Sequence, residues 1–433
     1  MKVAIATLGC KVNQYESAGI LEALEERGFS VVPFGEAADC CIVNTCTVTG
    51  RSDCQSRQLI RRAARANPGA SIIVTGCYAR IAPGEIEKIC GATHIVENKA
   101  AIPDLLERIA GVHADEARRG AASEGKPREL HPRKFPGHTR AFLKIQDGCN
   151  AFCTYCIVPY ARGRSRSFPE RDVRGRICEL GGAGYREIVL TGIHLGAYGR
   201  DLRPAAGLID ILRFVEEERP IERLRLSSIE PGEVTDEIIA LFRSSTVLCR
   251  HLHIPLQSGS DDVLERMGRP YDAAFFRDRL ERIWESVPDM AIGLDVMAGF
   301  PGEDEAAFSR TVRLIEDLPV AYLHVFPYSD RPGTAASAMP GKVGEKEKKL
   351  RAAQLRDMGK RKRSDFAGRF VGKTVSVLIE GDKGSESEFA KGFSGQYIPV
   401  FVRTAGAAAV NRIVAVVAET CRDGRLYGRP AHD

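Results

Sequence analysis

The chain has 433 residues, 44% of them hydrophobic and 27% charged, with a formal net charge of +5. These proportions exclude a disordered polyelectrolyte or a low-complexity chain and leave room for two to four folded domains. Thirteen cysteines, no cleavable leader pattern at the start and no apolar run of membrane-spanning length argue for reduced thiols and metal ligands in a cytoplasmic protein, not a disulfide framework.

Short β-rich apolar runs alternate with helical patterns over the first hundred residues, which predicts a small parallel α/β layer. Strands are expected at Val3 to Leu8, Cys41 to Thr45 and Ile72 to Thr75. Helices are expected at Ala18 to Arg27, at Ser56 to Ala66 and, with Pro83 in the first turn, at Gly84 to Ile89. One cysteine follows each strand: Cys10, Cys46 and Cys77. A lone cysteine reads as a small buried hydrophobe. Three in the same topological position, at the carboxyl ends of parallel strands where open sheets hold ligands, read as a three-thiolate metal site. Cys40, Cys41, Cys54, Cys90, Cys178, Cys249 and Cys421 show no such arrangement and are expected to be core or incidental.

Gly111 to His138 is polar and aperiodic, which suits a linker or a long surface excursion. A larger α/β pattern follows, with strands expected at Ala141 to Gln146, Glu187 to Leu190, Leu224 to Ser227, His251 to Pro255, Ala291 to Met297 and Tyr322 to Phe326. Six successive βα units predict a partial barrel, whose reactive groups gather on loops at the carboxyl ends of the strands. The first of these loops carries Cys149-Asn150-Ala151-Phe152-Cys153-Thr154-Tyr155-Cys156. A complete cluster site and a structural zinc site each take four ligands. No nearby Cys or His completes this set, so three thiolates would hold an iron-sulfur cluster and leave one iron open. This spacing, with Tyr155 before the last cysteine, resembles the radical S-adenosylmethionine (SAM) superfamily, in which SAM binds the open iron and is cleaved to a 5′-deoxyadenosyl radical. Loops at Gly192 and His194, Ser227 to Pro231, Gln257 to Ser260 and Gly299 to Glu303 then read as the rim of a SAM pocket, with Tyr155, Gly192, Ser227, Glu230 and Gln257 as candidate contacts. His194 by itself reads as a structural hydrogen-bonding residue, not a base.

A basic helical stretch from Lys342 to Arg363 is either a solvated face or a polyanion-binding surface. Beyond it, Thr374 to Ile379, Tyr397 to Val402 and Ile413 to Val417 are β runs punctuated by glycines, which predicts a small closed barrel.

Several segments together resemble the radical-SAM methylthiotransferases. They are Thr7-Leu8-Gly9-Cys10-Lys11-Val12-Asn13-Gln14-Tyr15-Glu16-Ser17, Val43 to Thr49, Gly76-Cys77, and Gly148 to Cys156 continued by Ile157-Val158-Pro159-Tyr160-Ala161-Arg162-Gly163-Arg164-Ser165-Arg166-Ser167. The resemblance implies an amino-terminal domain over 1–110, a linker over 111–138, a radical SAM core over 139–368 and a TRAM-like RNA-binding barrel over 369–433. It implies two 4Fe-4S clusters, one on Cys149, Cys153 and Cys156 and an auxiliary one on Cys10, Cys46 and Cys77. The opening motif and the Arg-Gly-Arg-Ser-Arg-Ser run look most like the branch that converts N6-threonylcarbamoyladenosine next to the anticodon, at position 37 of tRNA, to its 2-methylthio derivative. The isopentenyladenosine branch and the branch acting on an aspartate of a ribosomal protein are the alternatives. Implied partners are the tRNA anticodon stem-loop and a reductant protein such as flavodoxin or ferredoxin. Arg162, Arg164 and Arg166 are candidates for the threonyl carboxylate, for tRNA phosphate or for carboxylates within the fold, and Lys373 and Tyr397 for RNA. Gln396 stands where TRAM domains commonly carry Asn. Bare sulfur insertion or another C–H functionalisation, and a cluster-carrying RNA-binding regulator, are the rival readings outside this reaction.

Overall fold

The structure, a computed structural model, describes residues 1–89, 91–111, 129–382, 388–403 and 410–431. Cys90 and most of the expected linker, 112–128, lie outside these. The chain forms two compact units, Met1–Pro136 with Cys156–Arg164 and Gly137–Tyr155 with Ser165–Asp433.

The first unit contains β1 (Lys2–Thr7), α1 (Lys11–Glu26), β2 (Ser30–Val32), β3 (Cys40–Thr45), α2 (Gly50–Ala66), β4 (Ser71–Gly76), α3 (Cys77–Ile81), α4 (Pro83–Glu87), β5 (His94–Ile95), α5 (Ile102–Ile109) and α6 (Val158–Arg162). The strands form one parallel sheet in the order β2-β1-β3-β4-β5. Both faces are covered. Val3, Ile42 and Ile73 pack with Ile20, Leu24, Ile102 and Leu106, while Ala4, Val43, Ile72 and Val74 pack with Ile60, Ala63 and Tyr78. Strands buried on both sides read as unbroken apolar runs, and all six residues of β3 are buried.

Two expectations need correction here. Helix α1 begins at Lys11, not Ala18, because Asn13, Glu16 and Ser17 are buried polar residues that interrupt the apolar periodicity. The last part of the expected linker is anchored to α1. Leu130 packs with the β1–α5 core, and Arg133 donates to Glu22 from its backbone (2.6 Å) and from Nε (3.0 Å). Gly19 makes the room, since a Cβ there would lie 2.7 Å from Leu130.

In the second unit come β6 (Ala141–Lys144), β7 (Gln146–Asp147), β8 (Arg166–Ser167), α7 (Glu170–Gly182), β9 (Glu187–Thr191), α8 (Leu208–Glu218), β10 (Arg223–Leu226), α9 (Asp236–Ser244), β11 (His251–Gln257), α10 (Asp261–Met267), α11 (Ala273–Ser286), β12 (Ala291–Ala298), α12 (Glu305–Asp317), β13 (Tyr322–Pro327) and α13 (Glu345–Gly368). Strands β6, β9 and β10 form one parallel sheet and β11, β12 and β13 another, linked by an isolated parallel bridge from Ser228 to His253. Together they make the expected six-stranded partial barrel. Strands β14 (Thr374–Asp382), β15 (Phe389–Ser394), β16 (Pro399–Arg403), β17 (Ile413–Arg422) and β18 (Arg425–Pro430) close a small barrel in the order β14-β15-β16-β18-β17. The sequence did not announce β15 and β18, whose glycines and flanking polar residues read as turns. One hydrophobic core joins the small barrel to the partial barrel. It includes Ala291, Ala321, Phe366 and Phe370 as well as Val377, Ile379, Val400, Val416 and Leu426.

Candidate functional site

In the second unit, the cysteine loop is fixed from below by Gln146, which is wholly buried. Its Nε2 donates to the carbonyls of Asp147 (2.9 Å) and Gly148 (2.7 Å) and to Ser165 Oγ (2.9 Å), and its Oε1 accepts from the His194 backbone (2.8 Å). Gly192 leaves space for this side chain: a Cβ there would lie 2.9 Å from Gln146 Oε1. On the other side, the Thr154 amide donates to Met267 O (3.0 Å) and its hydroxyl to Arg266 O (2.7 Å). Phe152 holds a left-handed backbone (φ 47°) and is half exposed. Such strain in a non-glycine residue persists only where neighbours enforce it.

Donors converge on the sulfurs. Arg269 Nη1 lies 3.2 Å from Cys153 Sγ, the Ala151 amide 3.4 Å from Cys149 Sγ, and His194 Nδ1 3.5 Å from Cys149 Sγ. His194 Nε2 is 2.9 Å from Glu233. Burial works against the imidazolium, but Cys149 and Glu233 outweigh it and raise this imidazole to about 10. Arg269 also pairs with Glu230, whose carboxyl is pushed upward by burial against the pull of Arg269. These groups line a cavity of about 540 Å³ that includes Asn150, Cys153, His194, Glu230, Glu233 and Arg269. A volume of that size suits a drug-sized ligand. Arginine, carboxylate and thiol side by side offer partners for an amino-acid moiety and ligands for a metal.

Of the residues expected to line a SAM pocket, Glu230 lines this cavity, and Tyr155, Gly192, Ser227 and Gln257 do not. Tyr155 packs edge-on against Phe300, with ring centroids 6.4 Å apart. Gln257 ends β11 in a left-handed conformation (φ 65°), and the buried Ser227 hydroxyl has no partner among the described residues. Arg269, Glu233 and Tyr271 were not singled out from sequence. They follow a helix end and a turn with no motif of their own, and only the fold brings them to the cysteine loop.

In the first unit, Cys10 caps the start of α1, Cys46 follows β3 and Cys77 begins α3. Gly9 (φ 99°) lets the first loop close on the second: a Cβ there would lie 2.9 Å from Cys46 Sγ. Burial raises the Cys77 thiol; Arg162 and Lys99 oppose this, and the charges of Cys10 and Cys46 add to it. The three thiols are therefore electrostatic neighbours, with two cations beside them. Burial on balance holds the Cys46 and Cys77 thiols above their ordinary range, and binding a metal would release their protons.

Arg162 sits 3.0 Å from Glu16, to which Lys99 also pairs (2.8 Å), and it donates to Asn13 as well. Its guanidinium is thus engaged by side chains of the first unit and is not offered to an incoming carboxylate. Arg164, Arg166 and Lys373 are exposed. Tyr397 has its ring 4.8 Å from the Arg225 guanidinium and 5.0 Å from the His251 ring. Its ring is thus engaged by side chains of the protein. Gln396 donates to Asp289 (3.2 Å). Within the basic helix α13, Arg351 meets Glu303 (2.8 Å) and Lys362 donates to the carbonyls of Glu316 and Leu318, while Lys346, Lys349, Lys360 and Arg361 are exposed. Cys40, Cys41 and Cys249 are core, and burial pushes the Cys40 thiol up to about 12.

Residues 2–97 match a family described as uncharacterized protein family UPF0004, and residues 143–315 match the Radical SAM superfamily. The chain is 40% identical over 412 residues to a threonylcarbamoyladenosine tRNA methylthiotransferase of Bacillus subtilis, covering 92% of this chain and 89% of the relative. It is 40% identical over 386 residues to the protein of that name from Thermotoga maritima, covering 87% and 86%. A tRNA-2-methylthio-N6-dimethylallyladenosine synthase of Oleidesulfovibrio alaskensis is 36% identical over 384 residues, covering 87% and 82%. Among solved structures, the radical S-adenosylmethionine methyltransferase TsrM from Kitasatospora setae shares the fold, with a TM-score of 0.56 at 15% identity, covering 78% of this chain and 77% of that one. By its two matched domains and these relatives, the chain belongs to the radical-SAM methylthiotransferase family.

Proposed function

We propose that this enzyme converts N6-threonylcarbamoyladenosine beside the tRNA anticodon to its 2-methylthio derivative, in the cytoplasm. The observations that carry the reaction class are a ligand-sized cavity lined by Cys153 of the Cys149, Cys153, Cys156 motif and three neighbouring thiols at the carboxyl ends of three parallel strands. The names of the relatives favour the substrate. Membership of the radical SAM superfamily brings a 4Fe-4S cluster and SAM; the second cluster is our reading of the donor set in the first unit.

Cys149, Cys153 and Cys156 would hold the cluster that works with SAM, and Cys10, Cys46 and Cys77 an auxiliary cluster. When bound, these groups supply homolytic removal of hydrogen from carbon 2 of the adenine and delivery of a methylated sulfur. Carbon 2 bears no acidic proton, so side-chain acid-base chemistry alone is too weak, and the hard step falls to a cofactor. The residues around the cavity have simpler tasks. Arg269 and Glu230 orient charged groups of a ligand, and the His194–Glu233 pair fixes the wall next to Cys149. Arg269 and the Ala151 amide donate toward the sulfurs, which tunes a cluster's potential. Loop bases of tRNA can be splayed out without melting a duplex. Exposed Arg164, Arg166 and Lys373 are suited to phosphate. A flavodoxin or ferredoxin is the class of reductant expected.

The test is anaerobic reconstitution with SAM, dithionite and a tRNA carrying threonylcarbamoyladenosine, followed by mass spectrometry of the nucleosides. A methylthio mass gain that is lost in Cys153→Ala is expected. 5′-Deoxyadenosine with unchanged nucleoside moves the substrate to isopentenyladenosine or to the ribosomal-protein aspartate. Separately, wild type should bind about eight irons, and the Cys10→Ala, Cys46→Ala, Cys77→Ala triple variant about four.

A further inference from the structure

The polar inner wall of the partial barrel is used by none of the chemistry above. On β11, β12 and β13 the aliphatic set Leu252, Ile254, Leu256, Ile292, Leu294 and Val296 is fully buried. The alternate face carries His251, His253, Gly293, Asp295, Tyr322 and His324, with Asp295 in register with His324. Aspartate and histidine on a barrel strand are costly to bury unless partnered, and here they form one connected group. His253 Nε2 lies 2.9 Å from Asp295 Oδ1, and His324 Nδ1 lies 3.6 Å from the same oxygen. The Tyr322 hydroxyl sits 3.1 Å from His253 Nδ1 and 2.8 Å from His251 Nε2. Its ring can lie there because the facing residue is Gly293, where a Cβ would come 2.1 Å from it.

Proton accounting fixes the orientation. A carboxylate only accepts, so His253 Nε2 carries hydrogen toward Asp295, and the Tyr322 hydroxyl fixes its Nδ1. The group is open at one end: side-chain exposure rises from 7% at His253 through 23% at Asp295 to 52% at His324. A chain of contacts connects its first strand, β11, with the cysteine loop. Arg269, which touches Cys153, donates through Nε to Tyr271 (3.0 Å), and Tyr271 donates to Pro255 O (2.7 Å). Pro255 is two residues beyond His253, about 7 Å along a strand.

We infer that His324 and Asp295 form a subsite for the N6 substituent of the adenine, one that takes a polar acyl group bearing hydroxyl, N–H and carboxylate functions and rejects a hydrocarbon. This rests on the function proposed above. Asp295 accepts from hydroxyl or N–H, and the outer nitrogen of His324, on the opposite side of the ring from Asp295, meets an oxygen. An isopentenyl group would desolvate both side chains and return no hydrogen bond, and sites built on hydrogen bonds discriminate strongly against analogues lacking them.

The test is equilibrium binding of cluster-loaded enzyme to three synthetic anticodon stem-loops, carrying threonylcarbamoyladenosine, isopentenyladenosine or unmodified adenosine. Wild type should prefer the first over the second by at least about tenfold. His324→Phe and Asp295→Asn should each erase that preference while leaving affinity for the unmodified RNA and iron content in place, and His324→Phe, at the exposed end, should also keep the melting temperature; His324→Gln should keep part of the preference. Preference that survives both substitutions, or a parallel loss for all three RNAs, overturns the subsite. Methylthiolation of threonylcarbamoyladenosine by wild type without any binding preference overturns the subsite alone, whereas absence of that product overturns the substrate reading beneath it.

Discussion

Glu187 shows how one buried charge sets the behaviour of its surroundings. It is fully buried, 2.7 Å from Arg225 and 3.5 Å from Arg223. Burial alone would raise its carboxyl, but Arg225, Arg140 and Arg223 outweigh burial and hold it below the usual range. A depressed carboxyl stabilises the folded state above the unfolded value, near pH 4.3, and that contribution is lost as pH falls through the folded value. Glu187→Gln leaves Arg225 without its counter-charge, so it should cost about 3–5 kcal/mol at neutral pH. Denaturation midpoints measured across pH 3 to 7 should fall less steeply on the acid side in the variant. An unchanged acid limb would mean that other carboxylates dominate. Arg162 teaches a related lesson: three arginines look equivalent in sequence, yet Glu16 and Asn13 capture one of them.

Among the elements, β12 and β13 are coupled through a size match. Gly293 faces Tyr322 in register, and the ring fills the space that a side chain would need. Gly293→Ala should therefore destabilise the second unit by about 1–3 kcal/mol through overpacking. It should also shift the Tyr322 hydroxyl away from His251 and His253, which histidine NMR resonances would report; unchanged resonances would show that the ring moves without cost. Helix α1 makes the opposite point. Its buried Asn13, Glu16 and Ser17 bond to the Leu8 and Thr45 carbonyls, to Lys99 and Arg162, and to Thr7 and Asn44, so the periodicity that marks a helix fails at its amino-terminal half.

At the scale of the whole molecule, the small carboxyl-terminal barrel does not bury its apolar surface by itself. Phe366, Phe370, Ala291 and Ala321 share its core, and Arg225 donates to Gly395 O (3.0 Å) and Ser394 O (3.2 Å). The boundary expected at 368/369 falls inside this core. Truncation after Gly368 should expose it and yield an aggregating chain that binds a fluorescent apolar dye, whereas a soluble, cluster-loaded fragment would show that the contact is dispensable. The clustering of exposed cations, more than the net charge of +5, predicts that the logarithm of tRNA affinity falls linearly with the logarithm of salt concentration. Substituting Arg164 or Lys373 should lower that slope by about one charge each, measured by filter binding.

The amino-acid sequence alone specified the thiol spacing, the alternation of strands and helices, and the three-part architecture, because each is a local pattern: a motif, a period or a run of turn residues. Cys10, Cys46 and Cys77 were legible as a set since strand ends in a parallel sheet converge by topology. What the tertiary structure decided is everything set by partners distant in sequence. It brings Arg269 and Glu230 to Cys153, sets Tyr397 against Arg225, ties residues 129–136 to α1, and joins His253, Asp295 and His324 across three strands. A side chain's partner depends on packing between elements, and no local pattern in the chain records it.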